Sequence, residues 1–179
     1  MGLARRIENG HIAVASRAAI LVHVGTNDVN NAIRNNNSLA RELKCSGTSK
    51  RQFIQPLNIV DRYKHMVAII RARNKHCKIV LSAILPRRTG VEQEDYCSVQ
   101  VNKAVMDYCM DTDNVVFNPT YKWFKHCGRP VVHYYAKRDT LHLSDPGSER
   151  LAQAFRMALA DANLSKESHC KKRKRKDSK

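Results

Sequence analysis

Two short stretches hold side chains that could share one reaction. In Gly25-Thr26-Asn27-Asp28, Asn27 offers an amide donor of the kind that stabilises negative charge developing on a carbonyl oxygen under attack. In Asp139-Thr140-Leu141-His142-Leu143-Ser144, His142 can act as a general base, because imidazole titrates near neutral pH. Asp139 can orient that ring and stabilise its charged form. An isolated Asp-x-x-His ahead of a helix often reflects capping alone. Taken together, the two stretches supply a donor for an oxyanion, a base and an orienter for the base, which is the equipment of acyl chemistry.

These groups need a frame that brings them to one edge. Ala19-Ile20-Leu21-Val22-His23-Val24 is apolar and partly β-branched, and Gly25 closes it, which predicts a buried strand ending in a tight loop. In a parallel α/β sheet, ligands sit at the carboxyl ends of the strands, so residues 25–28 would floor a site. Ahead of the strand, Ile7, Ile12 and Val14 give weak helical spacing and Gly10 opposes a long helix, so a short helix or turn is expected. Val29 to Lys50, rich in Asn and Ser, reads as loop with at most one helical turn.

From Pro56 the pattern changes. Leu57, Val60, Tyr63, Val67 and Ile70 recur at three- and four-residue steps and predict an amphipathic helix to about Lys75. Lys78 to Leu85 is the second strand, stopped by Pro86, and Arg87 to Asp95 is a polar loop. Ser98 to Met110 is the next helix, and Val115-Val116-Phe117 is a third strand ended by Asn118-Pro119. Pro146 opens a last helix, with Leu151, Ala154, Phe155, Ala158 and Leu159 on its apolar face and Ser144 or Asp145 as N-cap. Strands alternating with helices imply an α/β fold, a three-layer sandwich around a parallel sheet. Residues 1–164 are expected to form one domain, followed by a disordered basic tail over 165–179.

Gly25-Thr26-Asn27-Asp28 after a strand resembles the third conserved block of the SGNH (GDSL-type) hydrolases. Asp139-Thr140-Leu141-His142-Leu143-Ser144, followed by Gly147 and a helix, resembles their fifth block. The intervening elements match in order and length, so the resemblance covers roughly residues 15 to 160. It implies a flavodoxin-like sheet and hydrolysis of small carboxylic esters through a serine nucleophile. By position it makes Asn27 an oxyanion-hole donor, His142 the base and Asp139 its partner.

The chain departs from that pattern at the nucleophile. No Gly-Asp-Ser block precedes Gly25; Ser16 stands in Ala15-Ser16-Arg17, and Gly10 is the sole candidate for the oxyanion glycine of the second block. The base and its orienter are left with nothing to activate, so the chain as given is expected to be inactive. A sheet without its first strand would expose its neighbours' edges, and a missing amino-terminal segment or a partner strand is expected to cover them.

Charge suggests an alternative. The chain carries 32 Lys and Arg against 16 Asp and Glu, a formal +16 that attracts polyanions. Lys125, Arg129, Lys137 and Arg138, interleaved with Tyr121, Trp123, Phe124, Tyr134 and Tyr135, could bind RNA or DNA, although packing alone would also account for the aromatics. Lys171 to Lys176 is a run of six basic residues that resembles a nuclear localisation signal, so an intracellular and nuclear location is expected. The six cysteines lack C-x-x-C pairing, and Cys127 with His126 or His133 lacks finger-like spacing. Free thiols in a reducing compartment, no metal and no cofactor are therefore expected. No apolar run approaches the ~20 residues of a membrane span, so no membrane partner is expected.

Overall fold

The computed structural model describes residues 3–32, 57–88, 92–137 and 141–174, without the side chains of 57–58, 92–95 and 162–174. Its sheet is built outward from one strand. β2 (Lys78–Ser82) is buried at every position. β1 (Ala19–Val22) and β3 (Val115–Asn118) flank it, both parallel to it, with Val22 opposite Leu81 and Ser82 opposite Asn118. A strand with parallel neighbours on both sides and helices on both faces must be apolar on both faces, which Ile79-Val80-Leu81 supplies.

Alternation along the strands sorts side chains between the two faces. Val22, Ile79, Leu81 and Val115 join one core with Tyr63, Met66 and Ile70 of α3 (Leu57–Arg73) and with Val101 and Val105 of α4 (Glu92–Met110). α1 (Leu3–Glu8) adds Ile7 to that core and packs on α3. α5 (Asp145–Lys174) lies on the opposite face, where Phe155 meets the His23 ring edge-on at 5.5 Å. The result is the expected three-layer α/β sandwich with a parallel sheet. Among the described residues, no strand pairs with the outer side of β1.

A second, smaller core sits beyond the carboxyl end of the sheet. Leu85, Phe124 and Tyr135 are buried there, with Trp123, Tyr134, Leu143 and Leu151 packed against them. The aromatic-rich stretch is thus largely packing. It winds through a 3-10 turn at Thr120–Phe124, a small antiparallel hairpin of β4 (Lys125–His126) and β5 (Arg129–Pro130), and a second 3-10 turn at Val132–Tyr134.

Four elements differ from their sequence expectation. Residues 26–32 form a helix, α2, where loop with at most one helical turn was expected. Val29 N–H donates to the Gly25 carbonyl at 3.0 Å, and the completely buried Val29 anchors the helix in the core. Residues 33–50 lie outside the described residues. The second strand leaves its ladder at Ser82, because the Asn102 side chain takes both backbone groups of Ile84, at 2.8 and 2.9 Å. α4 begins at Glu92 rather than Ser98. α5 continues to Lys174 through most of the stretch expected to be disordered, because Ala, Leu, Glu, Lys and Arg are strong helix formers even in solvent.

Cys77, Cys97 and Cys109 are buried free thiols and Cys127 is an exposed one. Among the described residues, no helix is long and apolar enough to cross a membrane.

Candidate active site

The turn after β1 is fixed by a residue that has no side chain. Gly25 has φ +105°, and a Cβ there would lie 2.7 Å from the Tyr63 hydroxyl and 2.8 Å from Ile84 Cδ1. Only glycine fits such a site. Tyr63 fills the space and donates from its hydroxyl to the Val24 carbonyl at 2.6 Å. Burial, and secondarily the negative charge of Asp28, push that phenol well above its ordinary value, so it remains a donor. The turn launches α2 with Thr26, Asn27 and Asp28 in its first coil. Asp28 is paired with Arg62, and the buried Arg87 reaches the Thr26 carbonyl at 3.4 Å.

Asn27 is exposed on the wall of a cavity of about 500 Å³ between α1 and α3. His23, Gly25, Ile59, Tyr63 and Met66 share that wall, whose surface is mainly apolar, and Thr26, Asp28, Arg62 and His65 line it as well. A space of that size and character suits a small organic ligand.

His142 is carried by the return into α5. Tyr135 and Leu143 form a β-bridge, and Ala136 N–H donates to the His142 carbonyl at 3.0 Å. Ser144 then caps α5: its hydroxyl accepts from Gly147 N–H at 3.3 Å and donates to the His133 carbonyl at 2.7 Å. Gly147 passes so close to the Tyr134 carbonyl oxygen that a Cβ would lie 2.0 Å from it. The His142 side chain is exposed and does not line the cavity beside Asn27. What the two loops share is their tether. Arg87 holds the first, while Arg88 donates to the Ala136 and Lys137 carbonyls and Tyr135 donates to the Pro86 carbonyl.

The remaining candidates are dispersed. Asp139 and Arg138 lie outside the described residues. Lys125 and Arg129 sit on the β4–β5 hairpin, and Lys137 is exposed. Ser16 is an exposed turn residue ahead of β1, at the amino edge of the sheet, and Gly10 closes the turn after α1. Neither is placed to serve a site at the carboxyl edge.

His23 is the residue that sequence reasoning passed over as part of a strand. Its Nδ1 lies 3.1 Å from Ser82 Oγ, which in turn lies 2.7 Å from Thr120 Oγ1. Burial lowers the pKa of the ring below 6.5, so it stays neutral. A titratable side chain at the exit of an otherwise apolar strand, two residues before the glycine turn, was the available signal.

Strand order, the Gly25 turn and the capped return into α5 fix a fold, and the comparisons with known proteins agree with it. The sequence model of the GDSL-like lipase/acylhydrolase family matches residues 2–150. The chain belongs to that family. No curated protein matches the chain. Among solved structures, it is similar to a Streptococcus pneumonia protein described provisionally as a platelet activating factor, with a TM-score of 0.64 and 18% identity over 89% of this chain and 68% of that one. It is also similar to the lipase Lip_vut3 from a goat rumen metagenome, with a TM-score of 0.60 and 15% identity over 81% of this chain and 65% of that one. At these identities the likeness concerns the fold. The GDSL-like family assignment places the chain in the SGNH/GDSL hydrolase superfamily.

Proposed function

We propose that this is an esterase domain acting on small carboxylic esters, with Asn27 as oxyanion donor, His142 as base and Asp139 as its orienter. The observation that carries the reading is the glycine turn, which Tyr63 and Arg87 brace so that Asn27 stands on the wall of an ester-sized cavity. A donor fixed before the reaction contributes more than one that must reorganise during it. With no Gly-Asp-Ser block in this sequence, the reading takes water rather than an acyl-serine route for the chain as given. The test is hydrolysis of a short-chain aryl ester with Asn27→Ala and His142→Ala as controls. Turnover without an acyl-enzyme burst that falls in both variants supports the reading. A serine labelled by a fluorophosphonate would overturn the water route, and wild-type rates in both variants would remove the ester reading.

A second reading, a non-catalytic module that binds RNA or DNA, is favoured by one surface. The β4–β5 hairpin carries Lys125 and Arg129, and beside it the Arg150 guanidinium lies over the Trp123 ring at 4.4 Å. Reversing charge with Lys125→Glu and Arg129→Glu, or Lys137→Glu and Arg138→Glu, should weaken binding of a labelled oligonucleotide and reduce its salt dependence. Unchanged affinity and salt slope would remove this reading. We also propose that Lys171 to Lys176 directs the protein to the nucleus; a reporter fused to residues 166–179 that stays cytoplasmic would exclude it.

A further inference from the structure

α4 is apolar on two sides. Cys97, Val101, Val105 and Cys109 follow one another at four-residue steps and are buried in the core. Tyr96, Val99, Met106 and Met110 are exposed, Met110 to 71% and Val99 to 49%. Seven large apolar side chains are exposed among the described residues, and four of them stand on this one helix. Their spacing makes them one surface. With the exposed Lys103, positions 96, 99, 103, 106 and 110 alternate steps of three and four over two heptads, which aligns them in a stripe about 21 Å long. A helix with a second apolar seam of that period can bury it only against another helix.

Charge selects which helix that is. The chain carries a formal +16, so two copies repel except where that field is locally reversed. Glu92, Glu94, Asp95 and Asp107 against Lys103 make α4 net negative, whereas α1, α3 and α5 are each net positive. Of these helices, α4 is therefore the one by which two copies approach with least repulsion. The stripe is also complementary to itself. Run antiparallel about a two-fold axis, with Met106 level with the partner's Lys103, it sets Val99 level with the partner's Met110. Asp107 then stands one residue, about 1.5 Å of helical rise, from the level of the partner's Lys103. The two-fold makes two such pairs, so each ammonium meets a carboxylate across the seam.

We infer that this chain self-associates through α4, as a two-fold antiparallel helix pair with Val99, Met106 and Met110 in the seam and Lys103 paired with Asp107 across it. A lysine in an otherwise apolar seam costs stability and fixes the register. Two heptads of one helix fall short of the roughly 800 Å² per partner of a standard stable interface, so the dimer is weak, with a dissociation constant on the order of 10–100 μM.

Sedimentation velocity of the full chain over a concentration series spanning that range tests this, with a thiol reductant present so that the exposed Cys127 cannot cross-link copies. The wild-type chain should pass from monomer to dimer as concentration rises. Met106→Lys should stay monomeric throughout, with its far-UV circular dichroism unchanged because the residue is exposed in the monomer. Lys103→Glu sets two carboxylates together on each side of the axis and should weaken association about tenfold, and Asp107→Lys should do the same with two ammonium groups. Combining Lys103→Glu with Asp107→Lys should restore association to the wild-type level. A wild-type chain that is monomeric at every concentration, a dimer indifferent to Met106→Lys, or a double variant that fails to regain association would each overturn the inference.

Discussion

Arg88 Nη1 donates to the Lys137 carbonyl oxygen at 2.7 Å, and the same nitrogen reaches the Ala136 carbonyl at 3.0 Å. A guanidinium at the exit of the second strand thereby holds the backbone that leads to His142. Charge-assisted bonds to backbone are among the stronger hydrogen bonds, but the Lys137 contact is exposed to solvent. We expect Arg88→Ala to cost about 1–2 kcal/mol. Urea unfolding reads the stability, and amide exchange over residues 136–142 should accelerate in the variant. Unchanged exchange there would mean that Tyr135 and Ser144 hold the loop without Arg88.

Gly25→Ala should be more damaging. The new methyl group would meet the Tyr63 hydroxyl and Ile84 inside van der Waals contact, at a backbone angle that disfavours any side chain. Strain and overpacking together are expected to cost roughly 2–4 kcal/mol. Relief through Tyr63→Phe would be partial, because removing the hydroxyl also strips the Val24 carbonyl of its donor. A loss below about 1 kcal/mol in denaturant unfolding would show that the turn can re-form without a positive φ.

Much of this fold can be read from local pattern, and the limits have physical causes. Ile79-Val80-Leu81 announces a central strand because both faces must be apolar, and Gly25 announces a turn because nothing else closes such a run so tightly. The start of α2 was hidden because Thr26, Asn27 and Asp28 serve equally well in a loop and in the first turn of a helix; only the burial of Val29 decides. The reach of α5 was hidden because a run of like charge signals repulsion while the same Lys and Arg side chains favour helix. His23 was hidden for a different reason. Its partners, Ser82 and Thr120, stand 59 and 97 residues downstream, and no window along the chain brings the three together.

Thiol reactivity should divide the cysteines by burial. Burial pushes the Cys109 thiol up to about 12 and raises Cys97 as well, so neither supplies thiolate at pH 8. Cys127 is exposed at the turn of the β4–β5 hairpin. A disulfide reagent such as DTNB, followed by peptide mass mapping, should modify Cys127 within minutes and leave Cys77, Cys97 and Cys109 unlabelled until denaturant is added. Rapid native labelling of Cys109 would mean that the α4–sheet interface opens on that timescale.

The neutral His23 ring also couples folding to pH, with a definite sign. Its pKa is lowered in the folded chain, so below pH 6.5 the unfolded chain takes up a proton at this position that the folded chain refuses. The unfolded state then binds more protons, and stability falls as pH drops from 6.5 toward the folded value. One such group contributes a slope of up to about 1.4 kcal/mol per pH unit. Across the cavity wall, Asp28 and Arg62 are paired with each other, and His65 stands 3.9 Å from Glu8. The effect specific to His23 is isolated by comparing urea midpoints at pH 7 and pH 5 in the wild-type chain and in His23→Gln. The wild type should lose more stability than the variant over that interval. Parallel losses would mean that the ring is charged in the folded state at pH 5.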